Sequence, residues 1–329
     1  VSGHPSSTAA PLCAAGRVTS RRMRILVVGA GATGGYFGAQ LQQAGRDVTF
    51  LVRPKRADVL RERGLRITGL GAETVLTPRL LTAAEIDGHY DVVLVSVKAT
   101  ALPAALDDVV AAVGPRTTVV PFLNGLAHMD TLNDRFTSDA VLGGVVRVLT
   151  TLDAEGDIVR LGTLAEIVIG EQQGGTSQRV EQIAEALAGA GFEFSVSSDI
   201  RRAMWHKWVF ISTLGALNTL VRGSVGNAAA VPGGEELGRQ IATEAAAVAA
   251  AAGYPVPKQA LDNVRAFVTR RGSVDTASLY RDLIARQPTE AEQIFGDLTA
   301  RARALGVSTP LLDATTVALR VHEQSLTRG

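Results

Sequence analysis

The sequence predicts an α/β fold in which an N-terminal Rossmann-type dinucleotide-binding domain is followed by a second, all-helical C-terminal domain. Three observations carry this expectation. The segment RILVVGAGATGGYFGAQLQQAG, Arg24 to Gly45, joins a short apolar run to a glycine-rich turn and a helical pattern. Apolar runs and helical stretches then alternate, the rhythm of a parallel sheet. From Asp199 onward apolar residues recur at three- and four-residue spacing almost to the C-terminus. The expected layout is a disordered extension over 1–22, a nucleotide-binding domain over 23–198 and a helical domain over 199–329.

Composition narrows the class of function. With 329 residues, 46% of them apolar and 20% charged, the chain can bury one large core or two. A net charge of +1 gives no electrostatic reason to expect nucleic acid or a membrane surface as partner. The single cysteine, Cys13, excludes an intramolecular disulfide framework and a cysteine-rich metal site. Lys207, Asn218 and Arg222 interrupt the most apolar stretch well short of the ~20 residues of a membrane span. A soluble, cytoplasmic protein with a small-molecule partner is the expectation; a homodimer stands open as the assembly. Val1 to Arg22 contains no acid, two prolines and three arginines, and reads as disorder. An organellar transit peptide shares that composition; an upstream start, with Met23 as the natural first residue, is the preferred reading.

The first structural signal follows at once. Ile25 to Val28 form a β-branched run ending at Gly29, the pattern of a strand buried on both faces. Gly29, Gly31 and Gly34 complete G-x-G-x-x-G, and a helix continues to a stop at Gly45. The glycines serve the tight turn, the approach of backbone to a pyrophosphate, and close helix-to-strand packing. Because the motif sits between a strand and a helix and precedes a second strand, DVTFLV from Asp47, it points to a dinucleotide cradle of Gly29, Ala30, Gly31, Ala32, Thr33 and Gly34.

The end of the second strand selects the cofactor. An NAD site usually places an acid there, whereas an NADP site offers arginine to the 2′-phosphate. Here the strand runs into Arg53, Pro54, Lys55 and Arg56, so NADP is expected, the plainer alternative being a solvated basic turn. Two later runs, DVVLVSVKA from Asp91 and TTVVPFLNG from Thr117, bracket a helical stretch from Ala101 to Val113. They end in Lys98 and Asn124, at the strand ends where open parallel sheets bind ligands. Solvation of the lysine and an Asn-Gly turn are the bland readings. VLGGVVRVLTTL and EIVIG then read as strands joined by a turn, an antiparallel extension, followed by a helix from Ser177 to Leu187 and a strand from Phe192.

The helical half opens with the apolar run MWHKWVFISTLGALNTL, Met204 to Leu220, in which Lys207 stands early. A lysine in an apolar helix either snorkels to water or performs chemistry, since burying its charge costs several kcal/mol.

Five blocks in order resemble the ketopantoate reductase family: GAGATGG from Gly29, SVKA at Ser96 to Ala99, FLNG at Phe122 to Gly125, RRAMWHKWVF around Lys207, and SLYRDLIARQPTE from Ser278 to Glu290. The resemblance covers Met23 to about Glu323. It implies an NADP-dependent reductase of a 2-oxo acid whose site lies between the two domains. It further implies Lys207 as general acid, Glu290 as its partner at the substrate, Ser278 at the substrate carboxylate, and Asn124 near nicotinamide and substrate. The pantoate-making members carry asparagines four and eight residues after the lysine; here those positions are Ile211 and Gly215, both on the lysine's side of the helix. Asn218 lies ~16 Å along the axis at 1.5 Å per residue, too far to substitute. The two missing amides should relax or redirect substrate choice. Two readings follow: a reductase of ketopantoate or a less polar 2-oxo acid, and a non-catalytic NADP-binding sensor. Joint retention of Lys207, Ser278 and Glu290 favours the enzyme.

Overall fold

Strands apolar on both faces make the first sheet. In β1 (Arg24–Val28) the last four residues are buried, and in β6 (Val92–Val95) and β7 (Thr118–Pro121) every residue is. The computed structural model describes residues 22–327; the expected extension over 1–22 lies, but for Arg22, outside the described residues. With β2 (Asp47–Leu51) and β5 (Leu80–Leu81), these strands form an all-parallel sheet in the order β5-β2-β1-β6-β7. Helices α1 (Ala32–Gln43), α2 (Pro54–Arg63) and α3 (Leu102–Val109) connect them. Strand order reverses between β1 and β6, so the loops after those two strands open a crevice at their carboxyl ends.

The second sheet is where the sequence reading needs correction. Strands β8 (Gly143–Leu152) and β9 (Ile158–Gly170) are antiparallel as expected, but they do not extend the parallel sheet. One bridge, Val119 to Val141, joins the chain to β7; it then crosses into a separate sheet. There β9 pairs with β8 along one edge and with β10 (Glu193–Val196) and β3 (Leu65–Gly69) along the other, while β4 (Ala72–Leu76) closes a hairpin on β3. The β3-β4 hairpin escaped the sequence reading because RITGLGAETVL carries no apolar run: only Leu65 and Ile67 of its strands are buried, both in β3. Helix α4 (Ala127–Phe136), directly after the FLNG block, was also missed. Helix α5 (Gln178–Leu187) begins after Ser177, whose hydroxyl accepts from Val180 N–H.

From Ile200 onward every described element is helical: α6 (Ile200–Val221), α7 (Val225–Ala229), α8 (Gly234–Ala251), α9 (Lys258–Val268), α10 (Ser278–Ile284), a π-helical turn (Glu292–Gly296), α11 (Asp297–Ala304) and α12 (Pro310–Thr327). Helix α6 starts four residues before the apolar run that announces it, capped by the Asp199 carboxylate, which accepts from Arg202 N–H. Lys207 is therefore two turns inside the helix. Asn218 is fully buried and structural: its amide donates to Gly223 O and its oxygen accepts from Ala277 N–H, both at 2.8 Å, which fixes the start of α10. Among the described residues no helix is long and apolar enough to cross a membrane.

Candidate active site

Two cavities meet between the parallel sheet and the helices, one of about 610 Å³ and one of about 240 Å³, sharing Thr33, Phe122, Asn124, Thr150, Ser278 and Arg281 in their walls. The glycine-rich loop after β1 forms one wall of the larger. Gly29 sits at φ +97°, where a side chain is strained, and its N–H donates to Leu51 O. A Cβ on Gly34 would stand 1.8 Å from the Ser96 hydroxyl, itself bonded to the Val28 and Gly29 carbonyls. These two glycines let the loop fold tightly over β6. A Cβ on Gly31 would meet only open space, so that glycine leaves room in front of the loop. Gly29, Ala30, Gly31, Ala32 and Thr33 all line this cavity, while Gly34 is buried behind them. The first-turn N–H groups of α1 have no helical acceptors and attract negative charge. A cradle with an open front and a helix N-terminus fits a dinucleotide's phosphates.

Basic residues flank the loop. Arg53, two residues past β2 at the start of α2, is exposed, lines the cavity, and makes no ion pair with any described residue. Arg56, half-buried, was overlooked as a cavity residue although it stands in the same RPKR run. Its Nη2 donates to Ala30 O (3.2 Å) and Gly156 O (2.8 Å), tying α2 to the glycine loop and the β8-β9 turn. Burial pulls its pKa below the usual arginine value. Lys98 also lines the larger cavity, where its ammonium pairs with Asp282 of α10 at 3.0 Å.

Asn124 and Glu290 form the seam between the two halves. The Asn124 amide donates to Glu290 Oε2 at 3.0 Å, and the Ala99 N–H donates to Oε1 at 3.2 Å. Glu290 is held in turn by its neighbour: Thr289 N–H and hydroxyl both donate to Glu323 of α12, at 2.8 and 2.7 Å. The π-helical turn that follows presents Ile294 O to the Trp208 indole N–H at 2.9 Å, which locks this segment onto α6 beside Lys207.

Side chains, several of them apolar, wall the smaller cavity. Lys207 is half-buried there among Phe210, Ile211, Leu214 and Ile294. Removal from water pushes its pKa from 10.5 down to about 8; the negative charge of Glu290 opposes the shift and the positive charge of Arg147 adds to it. No acid lies within 4 Å of the Lys207 ammonium among the described residues; both Glu290 oxygens accept instead from Ala99 and Asn124. Lys207 and Glu290 couple through space. Ile211 lines the smaller cavity, and Ser278 lines both cavities. Gly215 does not line it: buried on the far turn, its Cβ position lies 3.2 Å from the Phe295 ring. Eight residues advance an α-helix by 800°, which is 80° past the lysine's azimuth, enough to turn position 215 into the core.

Three further residues of this region escaped the sequence reading. His128 of α4 is buried, with Nε2 unbonded; burial, with the charge of Lys207, lowers its pKa to about 3, so it is neutral. Arg147 of β8 and Arg281 of α10 both line the smaller cavity. The first two stand outside any motif, and the third was read only as part of the SLYRDLIARQPTE block.

Comparison with known proteins agrees with this architecture. Residues 25–174 match the model of the ketopantoate reductase PanE/ApbA family, and residues 199–323 match that of the family's C-terminal part. YkpB of Bacillus subtilis, named as an uncharacterized oxidoreductase, is 32% identical over 301 residues, 92% of this chain and 99% of the relative. The structure of 2-dehydropantoate 2-reductase from Geobacter metallireducens superposes with a TM-score of 0.82 at 27% identity, covering 91% of this chain and 99% of that one. D-mandelate dehydrogenase, solved with NADH and anilino(oxo)acetate, reaches 0.83 at 23% identity, covering 93% and 100%, a likeness of fold alone. The chain belongs to the ketopantoate reductase family, oxidoreductases that use a nicotinamide dinucleotide.

Proposed function

We propose that this chain is an NADPH-dependent reductase of a 2-oxo acid whose side chain is less polar than that of ketopantoate. The observation that carries the reading is Lys207: a cation with a pKa near 8, set among apolar side chains in a cavity that opens onto the larger one. Gly29 to Gly34 would cradle the pyrophosphate and Arg53 the 2′-phosphate, and the nicotinamide supplies a hydride to the carbonyl carbon when bound. Negative charge then grows on the carbonyl oxygen, and Lys207 delivers its proton there, leaving a neutral amine and a 2-hydroxy acid. Glu290 keeps the lysine charged before the step, and through its bond to the Asn124 amide it orients a second donor at the junction of the cavities. Ile211 in place of an amide supports the choice of a less polar side chain.

The test is NADPH consumption over a panel of 2-oxo acids with ketopantoate, small aliphatic, branched and aromatic members. A branched or aromatic acid is expected to exceed ketopantoate in kcat/KM by about tenfold or more, the scale on which a mismatched pocket discriminates. Turnover of none of them contradicts the reductase; ketopantoate at the head of the ranking contradicts the proposed specificity.

A further inference from the structure

The smaller cavity is lined by three cations, Arg147, Lys207 and Arg281, and by no acid. Arg147 is answered by Glu166, to which it donates at 2.5 Å. Lys207 has its own part in the proposed chemistry. Arg281 has no such account. It stands three residues after Ser278 on α10, so the two side chains rise from one face of the helix, and both line both cavities. Its Nη1 donates to the Thr276 carbonyl at 2.7 Å, while no hydrogen bond engages Nε or Nη2 and no carboxylate lies within 4 Å of the guanidinium among the described residues. The adjacent Asp282 is committed to Lys98. Partial burial draws the Arg281 pKa below the ordinary arginine value, against the negative charge of the adjacent Asp282. A desolvated guanidinium with half its fork unused is a receptor for a planar anion, and two parallel N–H···O bonds to a carboxylate are the geometry it suits.

We infer that Arg281 is the anchor of the substrate carboxylate, which it receives on Nε and Nη2 with the Ser278 hydroxyl completing the cradle. The inference rests on the 2-oxo acid reading and sharpens it. In a 2-oxo acid the carboxylate is bonded directly to the carbonyl carbon, so an anchor where the two cavities join leaves the carbonyl at the junction and the side chain to the apolar wall. The substrate class is then a monoanion with an apolar side chain; ketones, aldehydes and esters without a carboxylate are rejected. A phosphate of the dinucleotide is the rival occupant, because Arg281 also borders the larger cavity.

The experiment measures binding of two unreactive carboxylates, oxamate and N-phenyloxamate, and of the neutral methyl ester of the latter, by calorimetry on the NADPH-saturated protein. Arg281→Gln should weaken the better-binding acid by about 10- to 150-fold, the range for hydrogen bonds to a charged group, and raise KM for the best 2-oxo acid in step. Ester binding and NADPH affinity should hold. R281K, which keeps charge and loses the fork, should fall between, and it decides alone if R281Q does not fold: undiminished acid binding in R281K overturns the forked anchor. Equal loss for acid and ester, unchanged acid binding, failure of the wild type to bind either acid, or a parallel loss of NADPH affinity also overturns it. Binding needs no turnover, so the two readings fail separately. A wild type that binds N-phenyloxamate but reduces no 2-oxo acid sinks the reductase and leaves the anchor; active protein indifferent to R281Q does the reverse.

Discussion

The two cavities are made of different material. The larger is walled by loops at the ends of β1, β2 and β6, and its defining features are backbone: a glycine at positive φ, a glycine pressed on Ser96, a glycine facing open space, a helix N-terminus. The smaller is walled by side chains that α6, α10 and β8 bring together from positions 147, 207, 211, 278 and 281. A site made of backbone must be contiguous in sequence, since one loop has to wrap one pyrophosphate. A site made of side chains need only converge in space, so the residues that line the smaller cavity alone, such as Ile211, can change without disturbing the cofactor loop. This is how one cofactor half can serve many substrate halves.

Substitutions at each cavity should therefore separate cleanly. The largest effect is expected from Lys207→Ala, which should lower kcat by about 10²- to 10⁴-fold, the usual share of general acid catalysis, with NADPH affinity unchanged. A snorkelling lysine would instead cost stability and spare turnover per folded molecule. Arg53→Ala should do the opposite, weakening NADPH by about 1.5 to 3 kcal/mol while leaving NADH binding and saturated kcat near wild type. Equal loss for the two cofactors would remove Arg53 from the 2′-phosphate. Smaller again, Ile211→Asn should move the kcat/KM ratio of ketopantoate to a branched apolar acid upward by about tenfold; an unmoved ranking places specificity elsewhere. Gly215→Asn should leave the ranking alone and cost about 1 to 3 kcal/mol of stability by overpacking against Phe295, read as a lower Tm. A change of substrate preference there would return position 215 to the cavity wall.

Legibility in the sequence follows the same division. G-x-G-x-x-G announced its strand, turn and helix because each glycine answers a local constraint, and the helices beyond Asp199 showed their periodicity. The resemblance brought Asn124, Ile211, Ser278 and Lys207 to the smaller cavity's wall, which spacing alone would not have done. What escaped had no local signature. Arg281 reads as one of many surface arginines until its unanswered fork is seen, and His128 as an ordinary residue of an undetected helix. Gly215 was misjudged because an i+8 relation only approximates one helix face. The second sheet hid because its β3-β4 hairpin carries no apolar run and buries only Leu65 and Ile67.

The central claim is that Lys207 holds a transferable proton because the cavity desolvates it. The most direct measurement is the pH dependence of kcat/KM for the best 2-oxo acid, which reports the free enzyme. The acid must be protonated to act, so the sign is fixed: reduction should hold level below pH about 8 and fall tenfold per unit above it, while oxidation of the 2-hydroxy acid rises through the same range. A descending limb near the ordinary lysine value of 10.5, or a flat profile across this range, would contradict the account.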